Sequence, residues 1–286
     1  MSLPTEPYSR IERYLAKLAG QDVDIPDRPI TRIECYLDYL VNNGGGVPEA
    51  TAGAHNAIFR GTALGTGFTE DQADAIAAGT FDGIFVGDYW TINNRVYRVA
   101  GFDLFYNLGD TRFTRHHAVI VPDKTFGTGK MNDESVTTGG YAGSLMKTAG
   151  LVPVLATITQ DFGEGHILTR RSCLTTGVGP SGAPSTNEWA DTSIDLMSEG
   201  QVLGRGAWGT QNQNGNNVGE RYSRFPLFCL CPSYVNIPSD DSPYWLQDVR
   251  SSTSFALVSN DGSAYNASAA YVGGIRPYFC VGKVPS

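Results

Sequence analysis

The chain has 286 residues, 41% of them hydrophobic and only 17% charged, with a formal net charge of −8. That length holds one large domain, or one domain with an appendage. No basic run offers nucleic acid an electrostatic footprint, and no stretch approaches the roughly 18 apolar residues of a membrane span.

The first residues, MSLPTEPYSR, lack the apolar core of a secretory signal, so a cytosolic protein is expected, or one that leaves the cell by lysis or inside a particle. The cysteines are Cys35, Cys173, Cys229, Cys231 and Cys280. An odd number in a reducing compartment argues against a disulfide framework. Cys229-Leu230-Cys231 does not have metal or redox spacing, and its neighbours Phe225, Leu227, Phe228 and Leu230 predict buried thiols in a strand.

Residues 7–15 (PYSRIERYL) and 29–37 (PITRIECYL) repeat each other. In each, Ser9 or Thr31 precedes Glu12 or Glu34 by three positions, the spacing of a helix capping box. Ile11, Tyr14, Leu15 and Leu18 fall at helical spacing, as do Ile33, Tyr36, Leu37 and Leu40. Gly20 and Asn42-Asn43-Gly44 end the two helices. Neither is long enough to be stable alone, so each apolar face must pack on something. Two alternatives stand: a hairpin packed on its own main domain, or a docking module for a larger assembly. Residues 1–45 are read as this module and 46–286 as the main domain.

Residues 44–66 read as a linker entering a first strand at Ala57–Arg60. Thr69 and Gln72 form another capping box on a helix closed by Gly79. The period then changes. GIFVGDYWTINNRVYRVAGFDLF has β-branched and aromatic runs broken at Gly87-Asp88 and at Asn93-Asn94, the second break being a hairpin turn. His116 to Pro122 is a further strand. Tyr141–Lys147 and Val152–Phe162 read as helices, with Pro153 in a first turn. HILTRR and PLFCLC read as strands, and 176–188 and 209–220 as polar surface loops. The expected fold class is α+β, strand-rich with long loops.

The segment from Tyr244 to Val281 has two textures. Trp245, Leu246, Phe255, Val258, Gly262, Gly274, Arg276, Pro277 and Phe279 have the look of a rigid frame. Between them lie Ser, Asn, Tyr and Ala. Tyrosine gives contact area at low entropy cost and small polar groups adapt, the composition of a binding surface. The same residues also populate ordinary loops.

Catalytic and metal motifs are not evident. His116 and His117 are adjacent in a strand and point to opposite faces, so they cannot chelate one ion together. His55 and His166 are isolated. GTALGTG has glycines without the strand–loop–helix frame and lysine of a phosphate loop. Asp88, Asp103, Asp110 and Glu188 are scattered, and only space could pair them. No metal or cofactor is expected.

Together, GDYWTINNRVYRVAGFDLFYNLGDT, HHAVIVPD, GGYAGS, DLMSEGQVLG and YWLQDV…FALV…GIRPYF resemble structural proteins of tailed bacteriophages and prophages over roughly residues 55–281. The repeated SRIERYL and TRIECYL helices resemble the front ends of such virion proteins, which implies attachment to other virion proteins through residues 1–45. The closing pattern is similar to the end of C-type-lectin-like domains, including the variable proteins of diversity-generating retroelements. The formylglycine-generating enzymes share that fold. The resemblance implies that Trp245, Phe255, Val258 and Phe279 are core. It places ligand contact on Arg250, Ser252, Thr253, Asn260, Tyr265, Asn266 and Tyr271, within about 244–281. The Asn, Tyr and Ser content there is also what adenine-directed mutagenesis would favour. The calcium-ligating triplets of sugar-binding lectins and the cysteine pair of the formylglycine-generating enzymes are not evident.

What the resemblance implies is therefore a non-enzymatic head fibre, decoration or tail-tip subunit, assembled in the bacterial cytoplasm and carried on the virion. Its C-terminal surface would meet a protein or glycan of the host cell, and a homo-oligomer, a trimer by guess, is expected. Nucleic acid and membrane insertion are not. The alternatives are a purely architectural virion subunit, or an enzyme on the formylglycine-generating-enzyme-like fold.

Overall fold

The computed structural model describes residues 9–18, 24–25, 51–204, 223–236 and 242–284. The chain groups into two compact units, Met1–Glu49 and Ala50–Ser286. In the first, α1 (Arg10–Leu18) is capped reciprocally. The Glu12 N–H donates to Ser9 Oγ at 3.1 Å, and the Ser9 N–H donates to the Glu12 carboxylate at 2.6 Å. Tyr14 and Ala16 are buried, while Ile11 and Leu15 are exposed. The second copy of the repeat lies outside the described residues.

The second unit is α+β. Its strands are β1 (Ala63–Gly65), β2 (Tyr89–Ile92), β3 (Arg95–Phe102), β4 (Ala118–Pro122), β5 (Thr128–Gly129), β6 (Arg170–Val178), β7 (Pro184–Thr192), β8 (Ile194–Leu196), β9 (Tyr244–Val249), β10 (Ser254–Val258), β11 (Ala264–Ser268), β12 (Gly273–Gly274) and β13 (Pro277–Val281). Its helices are α2 (Ala52–Asn56), α3 (Glu70–Ala77), α4 (Leu151–Phe162), α5 (Glu199–Leu203) and α6 (Pro226–Leu230). A six-stranded sheet runs β1-β2-β3-β4-β13-β8 and a five-stranded sheet runs β11-β10-β9-β12-β5, while β6 and β7 form a two-stranded ribbon. Among the described strands, only the β1–β2 and β9–β12 pairs are parallel.

The β2–β3 hairpin turns at Asn93-Asn94, both with positive φ (48° and 63°), as a two-residue turn between twisted strands requires. Asparagine tolerates that region better than most residues. β13, last of the strands, sits inside the six-stranded sheet between β4 and β8. The end of α4 closes the core, with the Phe162 ring edge-on to Trp90, Tyr97 and Phe279 at centroid distances of 5.9, 5.0 and 5.3 Å. Trp245, Phe255, Val258 and Phe279 are all buried.

Several elements differ from their sequence reading. Ala57–Arg60 is not a strand; Thr51 caps α2 within the supposed linker, and Phe59 makes only an isolated bridge to Val86. The segment around Tyr141 is turns, followed by a wide π turn over Met146–Gly150 that runs into α4. Pro153 has no N–H to give the Ala149 carbonyl, which favours a wide turn at that point. HILTRR becomes a strand only from Arg170. PLFCLC is a helix, with Pro226 at its first position and Leu227 and Phe228 buried. Cys229 is consequently exposed and Cys231 half-buried, not buried in a strand. Residues 176–188 are mostly ribbon, reduced to a short turn in which Gly179 N–H donates to Ala183 O and Gly182 N–H to Gly179 O. The 209–220 segment lies outside the described residues. Among those described, no helix is long and apolar enough to cross a membrane.

Candidate functional site

Of the expected ligand residues, Tyr265 and Asn266 lie on β11 and the other five in the connections among β9, β10, β11 and β12. β10 pairs with β9 on one side and with β11, the sheet edge, on the other. Leu257 faces Trp245 across one pairing and Tyr265 across the other. Directly opposed residues share a sheet face, so Trp245, Leu257 and Tyr265 form one row. Trp245 and Leu257 are buried, and Tyr265 at the edge is 56% exposed. After β11 the chain crosses to β12, beyond β9, and lays the Tyr271 ring edge-on to Trp245 at 5.9 Å. Tyr271 and its neighbour Val272 are 43% and 52% exposed. Two open tyrosines thus rest on one buried frame.

The other five residues are placed elsewhere. Asn266 pairs with Ala256 and projects from the opposite face to Tyr265, because strand side chains alternate. Asn260 is exposed at the β10–β11 turn. That turn is braced by Asp261, which accepts from the Ser263 N–H at 2.9 Å and from the hydroxyls of Ser259 and Ser263. These hydrogen bonds, the Ser259 hydroxyl first, pull the Asp261 carboxyl down to about 2. Arg250, Ser252 and Thr253 lie at the other end of β10, roughly 17 Å away for a five-residue strand. Ser252 and Thr253 are exposed and Arg250 is half-buried. Thr137 ties that turn down, its N–H donating to Ser252 O at 3.1 Å and its hydroxyl to Ser251 O at 2.8 Å. The seven residues do not converge on one point.

A feature that sequence reasoning missed continues the tyrosine surface. The Trp245 indole N–H donates to Gly129 O at 2.9 Å, and Gly129 on β5 pairs with Gly273. A side chain at Gly273 would lie 2.9 Å from Trp245 Nε1, so only glycine lets β12 approach. Beyond Gly129 an open groove of about 720 Å³ runs between β5 and the turn leading into α4. Met146, Ala149, Pro153 and Ile275 line its apolar part, with Lys130 and Arg95 contributing charge. Its size suits a small-molecule or peptide side-chain site. Asn132 joins groove to face: its N–H donates to Ala269 O at 2.9 Å and its side-chain oxygen accepts from the Leu145 N–H at 2.9 Å. Leu145, 39% exposed, lines the groove, and Asn132 ties its backbone to Ala269, two residues before Tyr271. The signal available in the sequence was the run Leu145-Met146, which carries large apolar residues into a turn. Nothing there distinguished a groove wall from core.

The scattered acids do not pair with one another, and buried Asp195 is held by Lys147 Nζ at 2.6 Å. Asp88 accepts from Arg60 and from the N–H groups of Thr62 and Phe85. Asp161 accepts from Asn93 Nδ2 at 2.7 Å and from the Tyr97 hydroxyl, and burial together with that hydrogen bond pushes the tyrosine pKa upward. Asp103 accepts from the His117 N–H at 2.9 Å and meets His116 Nδ1 at 2.7 Å. Asp110 is held by Arg171, and Glu188 stands exposed on β7. Among the described residues no three His, Cys, Asp or Glu side chains are grouped to hold a metal ion.

Set beside known proteins, the chain matches no protein-family model, no curated protein and no solved structure.

Proposed function

We propose that this chain is a non-enzymatic subunit of a tailed-phage or prophage particle, whose 50–286 unit is C-type-lectin-like and presents a receptor-binding face. The observation that carries the reading is the pair of exposed tyrosines, Tyr265 and Tyr271, standing on the buried Trp245–Leu257 row, with Trp245 hydrogen-bonded to Gly129 of the groove wall. Exposed aromatics on a stiff support lose little entropy on contact, which is how paratopes gain affinity. The phage assignment rests on the sequence resemblance, and many copies per particle would multiply a weak contact.

The test is adsorption. Particles carrying the Tyr265→Ala/Tyr271→Ala double variant should keep the wild-type melting temperature within a few degrees, since both rings are largely exposed, and should lose adsorption to host cells by about tenfold or more. Asn266→Ala, altered on the opposite face, should adsorb normally. Normal adsorption by the double variant, or equal loss in Asn266→Ala, would remove the tyrosine face as the contact surface.

A further inference from the structure

A second concave site lies away from the tyrosine face. The connection between β3 and β4 is a pinned strap. Asp103 N–H donates to His117 O at 2.9 Å, Asn107 N–H to Phe113 O at 2.8 Å and Phe113 N–H to Leu108 O at 2.9 Å. Phe113 is buried, its ring 5.1 Å from that of His117. Arg112 and Arg115, on either side of that anchor, are exposed. Across from them β6 begins with Arg170 and Arg171. Together the four arginines line a cleft of about 470 Å³, with the hydroxyls of Thr111, Thr114 and Thr169 and the carboxylate of Asp191.

Two of these arginines are committed. Arg170 is buried over the Phe105 ring at 3.9 Å and donates to the Tyr278 hydroxyl. Arg171 grips Asp110 with two parallel bonds, from Nε at 2.8 Å and Nη2 at 2.7 Å, and Asp191 stands 3.5 Å from its Nη1. The guanidinium groups of Arg112 and Arg115 have no ion pair or hydrogen bond among the described residues; the Arg115 carbonyl alone is used, by His117 Nδ1. Arg170 also faces Asp195 at 3.7 Å, so four cations stand beside three carboxylates, Asp110, Asp191 and Asp195, and local positive charge remains on a chain whose net charge is −8. Crowding like charges in a concavity is unfavourable unless an anion enters, and a concave wall focuses the field on that anion. The bidentate Arg171–Asp110 pair is itself an example of guanidinium holding a planar oxyanion.

We propose that this cleft binds an oxyanion, with Arg112 and Arg115 holding the phosphate, sulfate or carboxylate of a small polar ligand beside Arg171. The cleft falls within the size range of small-molecule sites and exceeds what a bare ion fills, and the threonine hydroxyls suit the ligand's polar remainder. The assignment is independent of the adsorption reading, because no residue of the tyrosine face lines the cleft.

The experiment uses the full chain, titrated with sodium phosphate, sodium sulfate, glucuronate and neutral glucose at an ionic strength held constant with sodium chloride. Calorimetry and the shift in melting temperature report binding. At least one of the three anions should bind saturably, and glucose should not. Arg112→Gln/Arg115→Gln, both at exposed positions, should weaken that binding by about tenfold or more, while the charge control Lys124→Gln, at an exposed lysine outside the cleft, leaves it unchanged. The strongest ligand of the three identifies the group. Equal affinity in the double variant, an equal response to glucose, or a linear, non-saturating response to every anion would overturn the proposal.

Discussion

His117 shows how a residue that looks chemical becomes structural. Its Nδ1 lies 2.9 Å from the Arg115 carbonyl, which can only accept, and its Nε2 lies 3.2 Å from the Phe105 N–H, which can only donate. The ring is therefore the neutral tautomer with hydrogen on Nδ1. Burial, first among the causes, lowers its pKa from 6.5 to about 4. The unfolded chain binds this proton below pH 6.5 and the folded chain does not until about pH 4. Stability contributed by the neutral ring is thus complete above 6.5 and falls through that window, by on the order of 3 kcal/mol. His117→Gln should be less stable than wild type at pH 7, and the gap should narrow as denaturation is measured toward pH 4. Parallel decline of the two would mean the ring is not held neutral. His116 and His117 were expected in a strand with their side chains on opposite faces, but both precede β4 and both approach Asp103, at 2.7 and 3.6 Å; the buried frame around Trp245 was legible in its large apolar anchors. The split of Tyr265 from Asn266 was not, because which strand face points outward depends on partners far away in the chain. Arg276 shows the same limit. It is fully buried, donating from Nε to Pro122 O at 3.0 Å and from Nη1 to Tyr234 O at 2.9 Å. Those distant carbonyls, with Val235 O at 3.2 Å and the Tyr244 ring 5.1 Å from the guanidinium, make a buried cation tolerable.

At the scale of elements, local hydrogen-bond rules were the most readable. The α3 capping box forms as its spacing predicts, with Gln72 N–H to Thr69 Oγ1 at 3.3 Å and Thr69 N–H to Gln72 Oε1 at 3.1 Å. The structure adds what spacing could not contain: Gln72 Oε1 also accepts from the indole N–H of buried Trp90 at 2.9 Å. Thr69→Ala should therefore cost about 1 kcal/mol, the usual worth of a cap. Gln72→Ala should cost more, because it also orphans a buried donor, an added penalty of roughly 1–3 kcal/mol. Chemical denaturation of both variants measures the order, and a cheaper Gln72→Ala would mean Trp90 finds another acceptor. Short apolar runs were the least readable. PLFCLC fits a strand or one helical turn equally well by periodicity, and Pro226 at the first position decided it. The 176–188 stretch looked too polar to pack, yet a ribbon needs only one partner, and β7 supplies it.

For the whole molecule, the order of strands in space sets what can be removed. β13 is the last strand in sequence but lies between β4 and β8, pairing Phe279 with Ile120 and with Ile194. Its residues are buried throughout, and Phe279 meets Tyr97 and Phe162. The six-stranded sheet cannot close until the C-terminal segment arrives, so pairing across most of the chain governs folding. Removing Pro277–Ser286 deletes a central strand and leaves two unpaired strand edges in the middle of the core. That truncation should give an unfolded or aggregated product, seen as loss of a cooperative thermal transition. Removing Met1–Glu49 takes away a unit that is compact by itself, and residues 50–286 should unfold cooperatively near the melting temperature they show in the full chain. On the proposed function, the same N-terminal deletion should leave the tyrosine face able to bind cells as purified protein but absent from particles. Incorporation of the shortened chain into particles would detach the docking role from residues 1–49. A non-cooperative melt of residues 50–286 would show instead that the main unit needs its front end to fold.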